Sequence, residues 1–456
     1  MRRACAALLT ALAIAACASV PVPAPTAAPT PPPTEAATAT IPSPSVSRTP
    51  TPSPARTPDP TSPVSAHADL ERLITAREQY HPDPWHGISR DDYVAQVSDV
   101  IARADGLNDD QLLVELTRLA AVPSYAGRDG HGGILPWTEG SRGGHALPLR
   151  LYWFDDGIFV TAAMPDYNDV VGHRVAAIAG HPIDDVLGAV EPLVPRDNGQ
   201  QVLSHSPYLI VLGEVLHGLD LIDAADATVD VTFADDDETT TRAIEPIALS
   251  TYSILMGGFH SLSPPTRPGA RWLRNLSQPA WLEIEAETRT AYLGYNLTNS
   301  DVNQVANQLA AALDDGLIYR LVIDVRHNPG GDNTTYGLLL STVRRAAEEL
   351  PSPVYLIIGR ATFSAAGNFA AEVEQIDNVV LVGEDSGGSP NQFGDAVLER
   401  LGYSGLSLHV ATSFQLKTEP TDTRITIEPD IAAPLTSTDY FSDVDPAWEA
   451  IQADSK

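Results

Sequence analysis

The stretch LVIDVRHNPGG, residues 321–331, decides how this chain folds. It ends a near-continuous apolar run, residues 317–325, which is typical of a strand buried on both faces of a sheet. From residue 280 onward, period-two and helix-spaced apolar segments alternate. Strands are predicted over 291–296, 354–359 and 379–383, and helices over 301–313, 336–350 and 364–374. The alternation predicts an α/β core, residues 280–445, with a mainly parallel sheet and right-handed crossovers.

The segments before and after this core have different patterns. Residues 66–149 form a predicted helical N-terminal domain, and Asn108 or Asp109 is the expected cap of its last helix. Residues 150–250 predict a β-rich module with short strands and a helix that ends near Val190. At the C-terminal end, residues 406–415 and 424–427 predict strands again.

Composition excludes several classes of function. The 456 residues carry 28 Lys and Arg against 59 Asp and Glu, a net charge of −31. So acidic a chain argues against nucleic acid as a partner, because phosphate backbones are bound by clustered basic residues. The only cysteines are Cys5 and Cys17, which excludes a disulfide framework and a Cys-ligated metal site. Histidines near His81 and His86 give little support to a metal site, and we expect neither metal nor cofactor.

The first residues predict export. Arg2 and Arg3 precede a run of small apolar residues, 4–16, that is too short to cross a bilayer as a helix. The run ends Ile-Ala-Ala-Cys, which looks like a bacterial lipobox. We therefore expect residues 1–16 to be a lipoprotein signal peptide and Cys17 to carry the lipid. The alternative is an ordinary secretory signal that is cut elsewhere in the small-residue stretch.

Residues 17–65 predict a disordered stalk. Proline, threonine, serine and alanine dominate this segment, which cannot bury enough apolar surface to fold and favours extended geometry. The folded part would thus stand off the membrane. The predicted location is the outer face of the bacterial cell membrane, or a membrane that faces the periplasm, with Cys17 as the anchor.

Two loops of the α/β core carry candidate chemistry. Gly330 and Gly331 follow the buried strand, where paired glycines let backbone N–H groups approach a ligand, as an oxyanion hole requires. Ser364 lies between a predicted strand and a predicted helix, where the positive end of the helix dipole favours an oxyanion. The competing interpretation is that Ser364 only caps the helix.

A nucleophilic serine needs a proton acceptor, and the sequence offers several. There are twelve histidines, of which His131 lies in a glycine-flanked loop and His327 lies beside the glycine pair. Lys417 is the remaining lysine candidate, since Lys456 is the last residue. Sequence spacing alone does not choose among them.

Four segments together resemble the C-terminal processing (tail-specific) serine peptidases and their relatives, which include the tricorn core protease and the retinoid-binding repeats. The segments are residues 321–331, 362–366, 382–389 and 429–431. Weaker similarity covers residues 129–131 and 172–183, and the latter looks like the reduced PDZ-like module of that family. The resemblance implies a crotonase/ClpP-like catalytic domain behind a helical domain and a PDZ-like module.

Carried over to this chain, the resemblance implies Ser364 as the nucleophile. The oxyanion hole would be the N–H of Gly330 or Gly331 together with that of Ala365. The processing branch uses a lysine as base, but Ser389 occupies what looks like its place. The chain is therefore closer to the tricorn-core and retinoid-binding branch, which implies His131 as the base.

The same branch implies an orienting acid in the C-terminal part, for which Glu419 and Asp422 are the candidates. Gly367 stands where the family usually has an acidic residue.

Two functions of different kinds follow. The first is an exported, membrane-anchored serine peptidase that cleaves peptides or proteins through an acyl-enzyme formed by Ser364 and His131. The second is a lipoprotein that binds a peptide or an apolar ligand on the same fold without cleaving it, which the missing lysine and Gly367 favour. Acyl-CoA chemistry on the crotonase fold is hard to reconcile with export. The sequence leaves the substrate and the oligomeric state open.

Overall fold

The computed structural model describes residues 65–138, 143–235, 238–255, 265, 267 and 269–454. The predicted signal peptide, nearly all of the predicted stalk and Cys17 lie outside these residues. Among the helices that the structure describes, none is both long and apolar enough to span a membrane.

The N-terminal part is helical, as the apolar spacing predicts. It consists of α1 (Ala66–Tyr80), α2 (Arg90–Ile101) and α3 (Asp109–Ala121). Asn108 caps α3 in a capping box, since its side chain accepts from the backbone of Gln111 and the Gln111 side chain reaches back. The buried faces of these helices share a hydrophobic cluster with Leu406 and Leu408 from the far end of the chain. The helices therefore cover their apolar faces with C-terminal strand residues.

The next part is a six-stranded antiparallel sheet with helices. The elements are β1 (Gly133–Ile134), β2 (His145–Ala146), β3 (Leu149–Phe154), β4 (Gly157–Ala163), β5 (Arg174–Ile178), β6 (His181–Pro182), α4 (Ile183–Val190), α5 (Gly199–Leu209), α6 (Gly213–Gly218), β7 (Val229–Asp235), β8 (Glu238–Ile244), β9 (Ile247–Ala248) and α7 (Leu249–Leu255). The strand order of the sheet is β3-β4-β5-β7-β8, and the short β6 pairs with β5. The sequence did not predict α5 and α6. Helix α5 begins with a glycine and contains Pro207, both of which argue against a helix in a local reading.

The α/β core is built on one mainly parallel sheet. In chain order it contains β10 (Ala280–Glu285), β11 (Thr290–Tyr295), α8 (Val302–Asp314), β12 (Arg320–Asp324), α9 (Gly337–Glu349), β13 (Val354–Ile358), α10 (Ser364–Glu374) and β14 (Val379–Gly383). Strands β11 to β14 pair in parallel in sequence order, and β10 joins the edge antiparallel to β11. The predicted α/β core with a mainly parallel sheet is thus confirmed.

The C-terminal part returns to short strands and ends in helices. It contains β15 (Gln392–Gly394), β16 (Val397–Arg400), β17 (Ser407–Val410), β18 (Ser413–Gln415), β19 (Ile431–Ala432), α11 (Ser437–Phe441) and α12 (Pro446–Ala453). The strand predicted over residues 424–427 is wrong, because Ile427 bonds to the Ser386 backbone and hydroxyl instead of a strand ladder. Strand β15 pairs with β18, while β16 and β17 join β1 beside the N-terminal helices.

Candidate active site

Ser364 is the first residue of α10, and its backbone is strained. Its φ is 52°, a left-handed conformation that residues with a side chain rarely adopt. The N-cap of α10 is Phe363, and no side-chain capping bond forms there. The alternative that Ser364 is only a cap is therefore wrong. Its hydroxyl Oγ lies 2.8 Å from Nε2 of His131 instead.

Hydrogen bonds of Thr362 fix the loop before Ser364. The buried Thr362 hydroxyl donates to the Val325 carbonyl at 2.9 Å and accepts from the Gly359 amide at 3.0 Å. The Thr362 amide closes the same turn on the Gly359 carbonyl. These bonds attach the loop to the C-terminal end of β12, which also carries the glycine pair. The neighbouring parallel strands thus bring the two predicted loops together.

His131 lies in the loop between α3 and β1, far from Ser364 in sequence. Its imidazole stacks on Phe363 with ring centroids 4.3 Å apart. Burial lowers the pKa of His131 to about 4, although the nearby carboxylates of Asp129 and Asp395 act to raise it. The imidazole is therefore neutral near pH 7, which is the form that can accept a proton from Ser364.

Among the described residues, no carboxylate bonds to the second ring nitrogen of His131, Nδ1. Nδ1 is buried and has no partner of normal geometry among the described residues, while the backbone of Phe393 lies close enough to raise the pKa. The expected orienting acids are not placed for that role. The Asp422 carboxylate is paired with Arg424 at 2.8 Å, and Glu419 is exposed. The ion pair holds the Asp422 carboxylate and keeps its pKa low, at about 2.

Gly330 packs directly against the nucleophile, and Gly331 packs against the Thr298 backbone. An ideal Cβ on Gly330 would lie 2.5 Å from the Ser364 Cβ, and one on Gly331 would lie 2.1 Å from the Thr298 carbonyl oxygen. The Gly330 amide donates to Oδ1 of Asn328 at 2.9 Å, so this N–H is already used. Among the described hydrogen bonds, the amides of Gly331 and Ala365 have no acceptor. These two amides are therefore the candidate donors to an oxyanion.

Neither alternative base contacts Ser364 in the described structure. The Lys417 ammonium is bound by the Glu372 carboxylate at 2.9 Å and the Tyr336 hydroxyl at 3.1 Å. His327 stacks on Trp272 beside a cavity of about 30 Å³ that Ser364 does not line. Burial lowers the pKa of His327 to about 3. Of the three candidates, only His131 is within hydrogen-bond distance of the serine.

The two departures from the family pattern have structural counterparts. The Ser389 hydroxyl donates to the Ile425 carbonyl at 2.8 Å, so it is turned away from the nucleophile. A Cβ on Gly367 would lie 3.3 Å from Nε2 of Gln392, which in turn donates to the Ser364 carbonyl at 3.2 Å. Gln392 thus fills the space beside Gly367.

A cluster of His81, His86 and Asp129 has ligand atoms within 4.8 Å of one another. Three of these atoms, Nε2 of His81, Nε2 of His86 and Oδ1 of Asp129, are buried and have no hydrogen-bond partner of normal geometry among the described residues. The Asp83 amide donates to Nδ1 of His81, so the neutral ring carries its proton on Nε2, the atom that faces Asp129. Arg77 also donates to the Asp129 carboxylate at 2.8 Å, which places a positive charge where a cation would bind.

Sequence reasoning missed two residues at this site. Phe363 supports the His131 ring, and Asp197 bonds to the loop that carries His131. Phe363 adjoins the serine motif, so its aromatic ring is a signal that could have been used. Asp197 has no local signal of this kind, because its partners lie far away in the sequence.

No protein-family model matches the sequence, and comparison with curated proteins finds no relative. Solved structures do match. A serine-to-alanine mutant of CPAF is 12% identical with a TM-score of 0.59, covering 83% of this chain and 95% of that chain. Mature CPAF complexed with lactacystin is 12% identical with a TM-score of 0.55, covering 84% and 97%. The photosystem II D1 C-terminal processing protease is 15% identical with a TM-score of 0.39, covering 81% and 93%.

At this level of identity, the likeness to CPAF establishes a shared fold that spans most of both chains.

Proposed function

We propose that this chain belongs to the C-terminal processing serine peptidase superfamily and hydrolyses peptide bonds through Ser364 and His131. The observation that carries the proposal is the 2.8 Å contact between Oγ of Ser364 and Nε2 of a neutral, buried His131. The strained backbone of Ser364 supports it, because strain of this kind is retained mainly at functional sites. The CPAF-like fold and the crotonase/ClpP-like core that the motifs imply are consistent with it.

The proposed reaction follows the roles of a serine–histidine pair. Oγ of Ser364 attacks the substrate carbonyl carbon while Nε2 of His131 takes the hydroxyl proton. The N–H groups of Gly331 and Ala365 stabilise the oxyanion. His131 then protonates the leaving amine as the C–N bond breaks, which leaves an acyl-enzyme on Ser364. A water molecule then gives a proton to His131 and attacks the carbonyl carbon of the ester. The C–O bond to Ser364 breaks, His131 returns the proton to Oγ, and the acid product leaves with both residues restored.

The proposed site differs from a catalytic triad, in which an acid bonds directly to the histidine. Asp129 and Asp395 act on the His131 ring through their charge, without a direct bond to Nδ1. The ring is instead held by its stack on Phe363 and by the surrounding backbone. We therefore propose a Ser–His dyad whose imidazole is oriented mainly by packing.

Labelling with a fluorophosphonate probe tests the peptidase proposal. The full chain should be labelled at Ser364, because an activated serine reacts and an inert one does not. Ser364→Ala should abolish labelling, and His131→Ala should reduce it by about two orders of magnitude or more. His145→Ala is the matched control, because His145 bonds to Glu214 away from the site. Labelling of Ser364 that persists at full rate in His131→Ala would show that His131 is not the base.

The proposed setting is the outer face of a bacterial membrane, or a membrane facing the periplasm. The lipobox-like sequence before Cys17 is evidence for a lipid anchor. The proline-rich composition of residues 17–65 is evidence that this segment forms a stalk. The six-stranded antiparallel sheet, β3 to β8, is proposed as a PDZ-like module that holds a peptide end by adding it as a strand. Mass spectrometry of the mature N-terminus tests the anchor, and an unmodified terminus at another residue would contradict it.

The second candidate is a lipoprotein that binds a peptide or an apolar ligand without cleaving it. It is favoured by Nδ1 of His131, which bonds to no carboxylate in the part of the chain that the structure describes, and by Gln392, which fills the space beside Gly367. Folded wild-type protein that the probe does not label, but that binds extended peptides, would support this candidate over the peptidase.

A further inference from the structure

Asp197 is a fully buried carboxylate that lies between two loops of the candidate site. Its Oδ1 accepts from the amide of Gly130, the residue before His131, at 2.6 Å. Its Oδ2 accepts from the amide of Ser389 at 2.8 Å. The Asp197 carbonyl also accepts from the Arg128 amide at 3.2 Å. One residue thus holds the loop that carries His131 at two points and a second loop at a third.

The second loop leads directly to the nucleophile. The Gly388 amide donates to the Thr362 carbonyl at 3.0 Å, two residues before Ser364. A Cβ on Gly388 would lie 3.4 Å from the Phe363 Cα, so the backbones are in close contact there. The Asp197 carboxylate therefore completes a bonded path from the His131 loop to the Ser364 loop.

The fit around Asp197 leaves the His131 loop no room to shift toward it. The Asp197 amide donates to Oε1 of Gln201, which fixes that side chain. A Cβ on Gly130 would lie 2.3 Å from the same Oε1 atom. The glycine before His131 is thus packed against the group that holds Asp197.

A carboxylate in this position is costly to the fold. Asp197 has no exposed surface, and burial together with the charge of Asp129 raises its pKa to about 7, against the hydrogen bonds from Ser389 and Gly130. A buried charge that two backbone amides only partly compensate is a poor device for stability alone. It does fix the relative positions of two loops that are distant in sequence.

We propose that Asp197 is the positioning residue of this site, joining the His131 loop to the Ser364 loop so that Nε2 of His131 stays within bonding distance of Oγ. The inference rests on the proposed peptidase function. It adds a residue outside the sequence motifs that resemble the family, and it acts through the backbone instead of through the imidazole.

The test compares Asp197→Asn with Asp69→Asn in the full chain. Asp69 lies in α1, away from the candidate site. It is a matched control because it is also buried and its carboxylate also accepts from two backbone amides, those of Tyr403 and Ser404. Two quantities are measured for each protein. One is the rate of fluorophosphonate labelling between pH 4 and pH 8, and the other is amide hydrogen exchange in peptides that cover residues 128–133 and 386–391.

At pH 8, where the Asp197 carboxylate is ionised and accepts from both N–H groups, Asp197→Asn should label about tenfold more slowly or worse, because the amide oxygen accepts and the NH2 group cannot. As the pH is lowered, the variant should also lose its labelling at a higher pH than wild type does. The reason is that a displaced His131 loses the burial that lowers its pKa. Exchange should become faster in both peptides. Asp69→Asn should change none of these readouts, although its stability falls. Wild-type rate, pH profile and exchange in Asp197→Asn would overturn the proposal.

The two proposals fail in different ways. Wild-type protein that is not labelled, with faster exchange in both peptides of Asp197→Asn, would reject the peptidase and support the bridge between the loops. Labelled wild type with unchanged exchange in Asp197→Asn would reject the bridge and keep the peptidase. If Asp197→Asn does not fold, Gln201→Ala removes the bond to the Asp197 amide and should change the same readouts in the same direction. A folded Gln201→Ala that matches wild type in all of them would also overturn the proposal.

Discussion

Gly330 and Ser364 are packed so closely that a Cβ on the glycine would lie 2.5 Å from the Cβ of the serine. The two residues belong to successive loops at the C-terminal ends of the neighbouring parallel strands β12 and β13. Gly330 also has φ 110°, which residues with a side chain rarely adopt. Two separate physical constraints thus require a glycine at position 330, namely its backbone conformation and its close approach to the nucleophile.

Substitution of Gly330 separates these two reasons. Gly330→Ala should lower the free energy of unfolding by about 2–4 kcal/mol and abolish labelling of Ser364, because the added methyl group strikes the serine. Gly316→Ala is the control, since Gly316 has φ 61° and open space around its Cβ position. It should cost only about 1 kcal/mol and leave labelling intact. The free energy of unfolding is measured by chemical denaturation. If the two variants lose the same stability and the same labelling, the close approach of Gly330 to Ser364 is contradicted.

The pKa of His131 predicts an unusual acid limit for the reaction. Because burial lowers that pKa to about 4, the imidazole stays neutral well below its usual range, and Ser364 labelling should persist down to about pH 4–5. Between the native and unfolded pKa values the unfolded chain binds more protons, so stability from this group is lost as the pH falls through that window. Labelling that declines around pH 6.5 would show that His131 is exposed to water.

Asp197 predicts the opposite dependence of stability on pH. Its pKa is raised to about 7, so from about pH 4 to pH 7 the native state binds the proton more tightly than the unfolded state. Wild-type stability from this group therefore falls as the pH rises through that window. Asp197→Asn cannot titrate, so its stability relative to wild type should increase from pH 4 to pH 7 in urea denaturation. A constant difference between the two proteins would contradict the raised pKa.

Thr362→Val tests the support beneath the nucleophile loop. The isosteric change leaves the Val325 carbonyl and the Gly359 amide without the partner that the hydroxyl supplies. We expect a loss of about 1–3 kcal/mol in the free energy of unfolding, and slower labelling because the turn before Ser364 loosens.

The control for this change is Thr342→Val. Thr342 is buried in α9, and its hydroxyl donates to the Leu338 carbonyl of its own helix. Thr342→Val should lower the free energy of unfolding by less than Thr362→Val does, and it should leave the labelling rate unchanged. If both variants label at the wild-type rate, Thr362 does not position the loop.

Local pattern was enough to predict the core of the fold. Strand β14 and helix α10 have the predicted bounds, because buried strands and amphipathic helices leave a periodic record in a short segment. Helix α5 and the loop over residues 424–427 were not predicted correctly. Tertiary contacts decide both, since the Asn198 side chain at the start of α5 donates to the Ser386 and Ile425 carbonyls, and Ser386 takes the backbone bonds of Ile427.

The site divides in the same way. The sequence by itself determined the glycine pair and Ser364, because a left-handed backbone and a close approach restrict which residue types can stand there. Only the tertiary structure decided the rest. The family resemblance implied His131 but its spacing in the sequence did not, and only the fold brings the ring 2.8 Å from a serine 233 positions away and places Asp197 between two loops. Such pairings depend on how separate elements pack, and a single sequence carries no local trace of them.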